Sequence, residues 1–241
     1  MKTAMTSVAC YSDQFSQVFI NSFRQYYPKT PLVIVDNNFE GEMGKKETRY
    51  LKLCRNVKKN IIYIRNEGII KNHGSGVDVA LQYLHKNKYD LMLNVDIDTL
   101  HKKHGIIEAC EEAYKEGYKY GGSWHIKHSR EPWKRKRGET WHVHSSFGFY
   151  DVQTLIDLGV SFQAVKGKTD TAESISYALE AKGIKAKPIW MGFIKHFAAG
   201  CLMREDGVIA HSKGQNPEWA KYYRNKLKTF FERDDVKGYL K

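Results

Sequence analysis

An α/β fold on a mostly parallel sheet is predicted by three features of the chain. Short apolar runs recur at residues 32–35, 61–64 and 91–95, segments with apolar residues at helical spacing separate them, and each run stops at polar residues. Alternating strand and helix in this way, about four times, calls for right-handed crossovers with helices covering both faces. Ligands of such sheets bind outside the carboxyl ends of the strands. The polar residues there are therefore the first candidates for a site.

In chain order, residues 5–10 form a short strand candidate, and Tyr11-Ser12-Asp13 supplies turn and N-cap chemistry for a helix carrying Phe15, Val18, Phe19, Ser22 and Phe23. Pro28 and Pro31 bracket the next turn. The run 32–35 ends in Asp36-Asn37-Asn38, residues 45–57 read as a helix, and 61–64 ends in Arg65-Asn66-Glu67-Gly68. Gly74-Ser75-Gly76 opens a helix through Val77, Ala80, Leu81 and Leu84. After the strand 91–95, a helix is expected over 101–117. Residues 124–141 break the pattern with Trp, His, Lys and Arg, including Trp133-Lys134-Arg135-Lys136-Arg137. A strand over 142–150, a short helix near 152–158 and a helix over 171–182 stopped by Gly183 follow. A basic helix over 216–231 carries Trp219, Tyr222, Tyr223, Leu227 and Phe230.

A chain of 241 residues with 41% hydrophobic content can bury one large core. It reads as a single domain: a ligand-binding half to about residue 100, a second half over 101–215 and the basic helix over 216–241. No stretch approaches the roughly 20 apolar residues of a membrane span, and the N-terminus lacks a signal peptide's apolar centre. A soluble, cytoplasmic protein is expected. Cys10, Cys54, Cys110 and Cys201 lie far apart with no C-x-x-C, so reduced thiols are expected rather than a zinc site or disulfide framework. The net charge of +12 favours anionic partners such as nucleic acid, anionic headgroups or nucleotide phosphates, without choosing among them.

Asp96-Ile97-Asp98 stands at the end of the apolar run Leu91-Met92-Leu93-Asn94-Val95. In an extended chain residues two apart face the same side, so both carboxylates would meet one point while Ile97 turns to the core. Two hard oxygen ligands suit Mg²⁺ or Mn²⁺, an ion usually completed by substrate phosphates and water. Paired aspartates after a strand also serve as turn or cap residues.

Asp36-Asn37, Arg65-Asn66, Asp96 with Asp98, and later His196 thus stand at successive strand ends. Over roughly residues 4–200 this arrangement resembles the family 2-like glycosyltransferases of the GT-A fold. The resemblance implies a Rossmann-like, mostly parallel sheet flanked by helices, with a small acceptor-side extension. It also implies a nucleotide sugar as donor, a UDP-sugar by family analogy, and a metal held at the Asp-x-Asp motif by Asp96 and Asp98. In that family an acidic residue after the second strand contacts the base or ribose, a part for which Asp36 and Asn37 stand in line. Arg65 and Asn66, with Gly74 and Asp78 in His73-Gly74-Ser75-Gly76-Val77-Asp78, look like the family's turn and helix start at the donor, with Asp96 joining them. Ile194-Lys195-His196-Phe197-Ala198-Ala199-Gly200 looks like its late histidine, making His196 the third metal ligand with His211 in reserve. Asp170, in Thr169-Asp170-Thr171-Ala172-Glu173, occupies the place of the family's general base. The segment departs from the usual Glu-Asp-x-Asp form, so Asp170 reads equally as an N-cap with Glu173 at N3. A Gln/Arg-x-x-Arg-Trp signature is absent, which points away from a membrane-tethered polymerase and toward transfer of one sugar to a discrete acceptor.

Basic residues interleaved with Trp at 124–141 can grip a phosphate backbone and stack a base, stack a sugar ring, or close over the donor. With the charge and the basic helix they favour DNA bearing a hydroxylated base as acceptor. A lipopolysaccharide or other cell-surface glycan is the alternative, and a noncatalytic nucleic-acid-binding protein is the second. A haloacid-dehalogenase-type phosphatase needs Thr two residues beyond the second Asp, where this chain has Leu100.

Overall fold

The computed structural model describes residues 1–9, 13–37, 60–68, 72–126, 141–163, 171–189, 194–196, 228 and 231–240. Four parallel strands form one side of its main sheet: β1 (Thr3–Ala9), β2 (Leu32–Asp36), β3 (Ile61–Arg65) and β4 (Leu91–Val95). The seven-stranded sheet runs β3-β2-β1-β4-β7-β6-β8, with β6 (Tyr120–Ile126), β7 (Trp141–Asp151) and β8 (Lys187–Pro188). Within it β7 alone runs against its neighbours, pairing Val95 with Phe147 on β4. Continuing toward residue 141, β7 therefore passes beyond the carboxyl end of β4.

Alternation along the strands sends side chains to two apolar layers. Leu32, Ile34, Leu91 and Leu93 join Phe19, Phe23, Ile106 and Phe147 on one face, whereas Val33, Val35 and Met92 join Val77, Leu81, Leu84, Ile175 and Leu179 on the other. Both layers exclude water almost completely, which is why these strands read as continuous apolar runs rather than alternating ones. The first layer is covered by α1 (Asp13–Tyr26) and α3 (Ile106–Lys115). The second is covered by α2 (His73–Lys86), α4 (Val152–Asp157) and α5 (Thr171–Glu180).

Three departures from the sequence expectations have physical causes. The helix expected from 101 begins at Ile106, because Thr99–His101 form β5, which pairs antiparallel with β9 (Ile194–His196). Gly105 ahead of it has no capping side chain, and the Tyr27 hydroxyl accepts from the amides of Gly105 (2.8 Å) and Ile106 (3.1 Å) instead. Second, β6 was hidden by Gly121-Gly122 near its start. A Cβ on Gly121 would stand 2.1 Å from the Lys187 carbonyl oxygen and one on Gly122 would stand 2.4 Å from that of Phe147, so the bulged strand needs both glycines. Third, a short α6 (Asp234–Lys237) follows the expected basic helix. Val236 packs there with Phe15, Val18 and Leu100, and Phe231, Tyr239 and Leu240 close around them. The expected helix 45–57, most of 216–231, and Cys10, Cys54 and Cys201 lie outside the described residues. Cys110 is a buried free thiol whose pKa burial pushes well up, as expected of an inert core cysteine. Among the described residues no helix is long and apolar enough to cross a membrane.

Candidate functional site

Polar side chains at the carboxyl ends of β2 and β3 are locked into one network. Asp36, Asn37 and Asn66 are each no more than 3% exposed. Tyr63 donates its hydroxyl proton to Asp36 Oδ2 at 2.5 Å. Asn66 Nδ2 donates to Asn37 Oδ1 (2.8 Å) and Ser75 Oγ (3.2 Å), its Oδ1 accepts from the Gly68 amide (3.0 Å), and Asn37 Nδ2 donates to the Asn72 carbonyl (2.6 Å). Asn72 is the N-cap of α2: its side chain accepts from the Ser75 amide at 2.8 Å while Ser75 Oγ accepts from the Asn72 amide at 3.1 Å. This reciprocal capping satisfies two of the otherwise orphaned donors of the helix start. The network ties the end of β2 to the start of α2.

Asn37 and Asn66, expected to touch a ligand, thus have most of their hydrogen-bonding capacity spent on holding the scaffold. Gly74 behaves similarly. A Cβ there would stand 2.3 Å from the Phe162 carbonyl oxygen, so the glycine lets α2 pack against residues 162–163. Asp78, also expected at the ligand, accepts from Ser161 Oγ (2.6 Å) and the Phe162 amide (2.8 Å), clamping the same approach. Arg65 is paired in register with Asp36 at the sheet's carboxyl edge.

The extended geometry inferred for Asp96-Ile97-Asp98 is corrected. The chain turns at Ile97-Asp98 between β4 and β5, because Thr99 has to begin a strand in a different sheet. Ile97 is nonetheless buried in the core as expected, and the Asp96 amide donates to the Ser146 carbonyl at 3.1 Å, tying the turn to β7. Asp98 is 3% exposed, and the side chain of Asp96 is 13% exposed with Oδ1 3.1 Å from His73 Nε2. In β5–β9 the register sets His196 opposite Thr99, one residue beyond Asp98. A separation of nearly 100 residues in sequence is thereby closed at the backbone.

Asp170 and the reserve His211 lie outside the described residues. Glu173 in the first turn of α5 is 8% exposed and accepts from the Tyr177 hydroxyl at 2.6 Å. Tyr63 and His73 are the residues that sequence reasoning missed. An aromatic on a strand and a histidine before a glycine carry no signal by themselves, whereas Asn72 with Ser75 three residues on was a readable cap.

Among the described residues no three His, Cys, Asp or Glu side chains form a metal cluster. Asp96 and Asp98 offer carboxylate oxygens from one turn, a donor set that fits Mg²⁺ or Mn²⁺, which takes one or two carboxylates and fills its remaining positions with phosphate oxygens and water.

Sheet order, the single reversed strand and the carboxylates after β4 define a GT-A glycosyltransferase fold, and solved structures of that class superpose on the chain. TarS of S. aureus matches with a TM-score of 0.59 at 15% identity, over 83% of this chain and 37% of that one. Its 1–349 portion in complex with UDP-GlcNAc matches at 0.55 and 16%, over 78% of this chain and 56% of that one. The mannosyltransferase PcManGT of Pyrobaculum calidifontis, in complex with GDP-Man and Mn²⁺, matches at 0.55 and 12%, over 78% and 54%. CMP:2-keto-3-deoxy-manno-octonic acid synthetase with CTP matches at 0.50 and 13%, over 78% and 89%. The chain thus spans between about a third and three fifths of the length of these glycosyltransferase chains. No protein-family model matches the sequence, and no curated protein does.

Proposed function

We propose that the protein is a metal-dependent glycosyltransferase that moves one sugar from a nucleotide sugar, a UDP-sugar first, to a hydroxyl acceptor. The observation that carries the reading is the register of β5 with β9, in which the backbone of His196 lies opposite Thr99, the residue after Asp98. UDP-GlcNAc and GDP-Man in structurally similar proteins favour a nucleotide sugar as donor, and Mn²⁺ beside GDP-Man favours a divalent ion. In this reading Asp36, steadied by Tyr63, receives the nucleoside, and Asp96, Asp98 and His196 hold the ion. A bound Mg²⁺ or Mn²⁺ would supply positive charge against the nucleoside diphosphate leaving group. Asp170 takes the proton of the attacking hydroxyl.

For the acceptor we favour DNA carrying a hydroxylated base, with a phosphate-rich cell-surface glycan as the alternative. The described residues hold nearly equal numbers of acids and bases, so the +12 surplus falls in the other segments. Residues 38–59, 127–140 and 197–227 carry most of it in the sequence, and a chain with so large a basic surplus suits a polyanionic acceptor.

The test is donor cleavage with Mn²⁺ across UDP-, GDP- and dTDP-sugars, with and without hydroxymethylated DNA, followed by mass spectrometry. Metal-dependent cleavage increased by the DNA supports both donor and acceptor. Cleavage indifferent to DNA moves the acceptor to a glycan, and no cleavage of any donor overturns the enzymatic reading.

A further inference from the structure

His73 belongs to none of the strand-end motifs, yet it stands at the first position of α2 with Nε2 3.1 Å from Asp96 Oδ1. Both atoms are shielded from solvent, and their approach is a close polar contact rather than an aligned hydrogen bond. A carboxylate can only accept, so an approach this close is attractive only when Nε2 carries the proton. Little freedom is left to the ring's attachment point. The Asn72 N-cap is fixed by Ser75 and by Asn37 Nδ2, which reaches the Asn72 carbonyl from the end of β2 at 2.6 Å. The buried asparagine network thus aims the first residue of α2 at the turn after β4. On the other side, the Asp96 backbone is held by the Ser146 carbonyl.

We propose that His73 is a positioning residue for the donor site, its imidazole set against one oxygen of Asp96 so that the carboxylate meets the metal–diphosphate unit of the donor in a fixed orientation. The proposal rests on the glycosyltransferase reading. A partner that orients a ligating carboxylate governs affinity more than the chemical step, and loss of such a partner typically costs about 10–100-fold in metal affinity. The same chemistry explains why α2 begins where it does: the helix start sets the imidazole, and the imidazole sets Asp96.

The experiment compares His73→Ala, His73→Asn and His73→Gln with the unaltered protein. Binding of Mn²⁺ with UDP and with GDP is measured by calorimetry, and KM and kcat are measured for donor cleavage. A Gln side chain brings its amide nitrogen near the position of Nε2, whereas Asn reaches only to Nδ1. His73→Ala and His73→Asn should weaken Mn²⁺-dependent nucleotide binding by about 10-fold and raise KM with kcat little changed. His73→Gln should recover most of the loss. Equal affinity in all four proteins overturns the proposal, as does a His73→Gln variant no better than His73→Asn, since Asn and Gln differ little as structural replacements. If the unaltered protein binds neither nucleotide with Mn²⁺, the glycosyltransferase reading itself falls. If it binds and His73→Asn binds equally, only the role of His73 falls.

Discussion

The two edges of the parallel strands are built on opposite plans. At the carboxyl edge Asp36, Asn37, Asn66 and Asp98 are at most 3% exposed, and the first three are knitted to Tyr63, Asn72 and Ser75. At the amino edge Asp90, with its side chain 49% exposed, accepts from the Lys2 amide at 2.6 Å. Lys2 Nζ donates to the Asn87 carbonyl there, and Lys119 reaches Asp151 at 3.3 Å. Burying polar groups costs free energy unless every donor and acceptor finds a partner, whereas surface ion pairs are nearly neutral. The carboxyl edge gathers several buried carboxylates and amides in one place, whereas buried Asp151 at the amino edge is occupied in capping α4 and in pairing with Lys119. The amino edge simply closes the fold against solvent.

That contrast is broken if carboxyl-edge residues prove dispensable. Replacing Asp98 with Ala should give the largest effect, a loss of donor cleavage of about 100-fold or more with the fold retained by circular dichroism. Retained turnover would remove the metal assignment.

Beneath the same edge, His101 gives a pH dependence of stability. It is fully buried among Phe19, Phe23 and Tyr27, and neither ring nitrogen finds a hydrogen-bond partner among the described residues. Burial lowers its pKa from 6.5 to about 3. Between those values the unfolded chain takes up a proton that the folded chain refuses. Stability is therefore intact above about pH 6.5 and falls below it, by about 1.4 kcal/mol for each pH unit. Urea titrations at pH 7, 6 and 5 should show that slope, and His101→Phe should flatten it. An unchanged slope in the variant would assign acid sensitivity to other groups.

Asn66→Ala should cost about 1–3 kcal/mol, because it strands Asn37 Oδ1 and the Gly68 amide; denaturant midpoints measure it. Asp90→Ala, at the other edge, should change stability by no more than about 1 kcal/mol and leave donor cleavage untouched. Equal costs for Asn66→Ala and Asp90→Ala would erase the distinction between the edges.

Residues whose partners are near in sequence or whose pattern is periodic were readable before any coordinates. The β1–β4 strands, α1, α2 and α5 followed from apolar spacing, and Gly183 ends α5 at φ 74 as its position suggested. β5 and β9 were not readable: three-residue strands leave no period, and their partners lie far apart in the chain. The places of Asp36, Asp96 and Asp98 after β2 and β4 were legible from sequence position alone. The occupation of Asn37, Asn66 and Asp78 by the scaffold was not, because an amide at a strand end looks the same whether it faces a ligand or a neighbouring loop.

The pairing of β5 with β9 also bears on the order in which the molecule can assemble. β1–β4 set Asp36, Asp96 and Asp98 along one edge of the sheet through contacts within the first 100 residues, while Leu100, in the pairing itself, is enclosed by Val236 and Phe231. Contacts of such long sequence separation form late, after most loop-closure entropy has been lost. During synthesis the carboxylates would thus take their places well before the segments that complete their surroundings. A ribosome-bound chain of about 150 residues would carry the strand-end carboxylates but neither β9, which pairs with β5, nor the Val236 and Phe231 side chains that enclose Leu100.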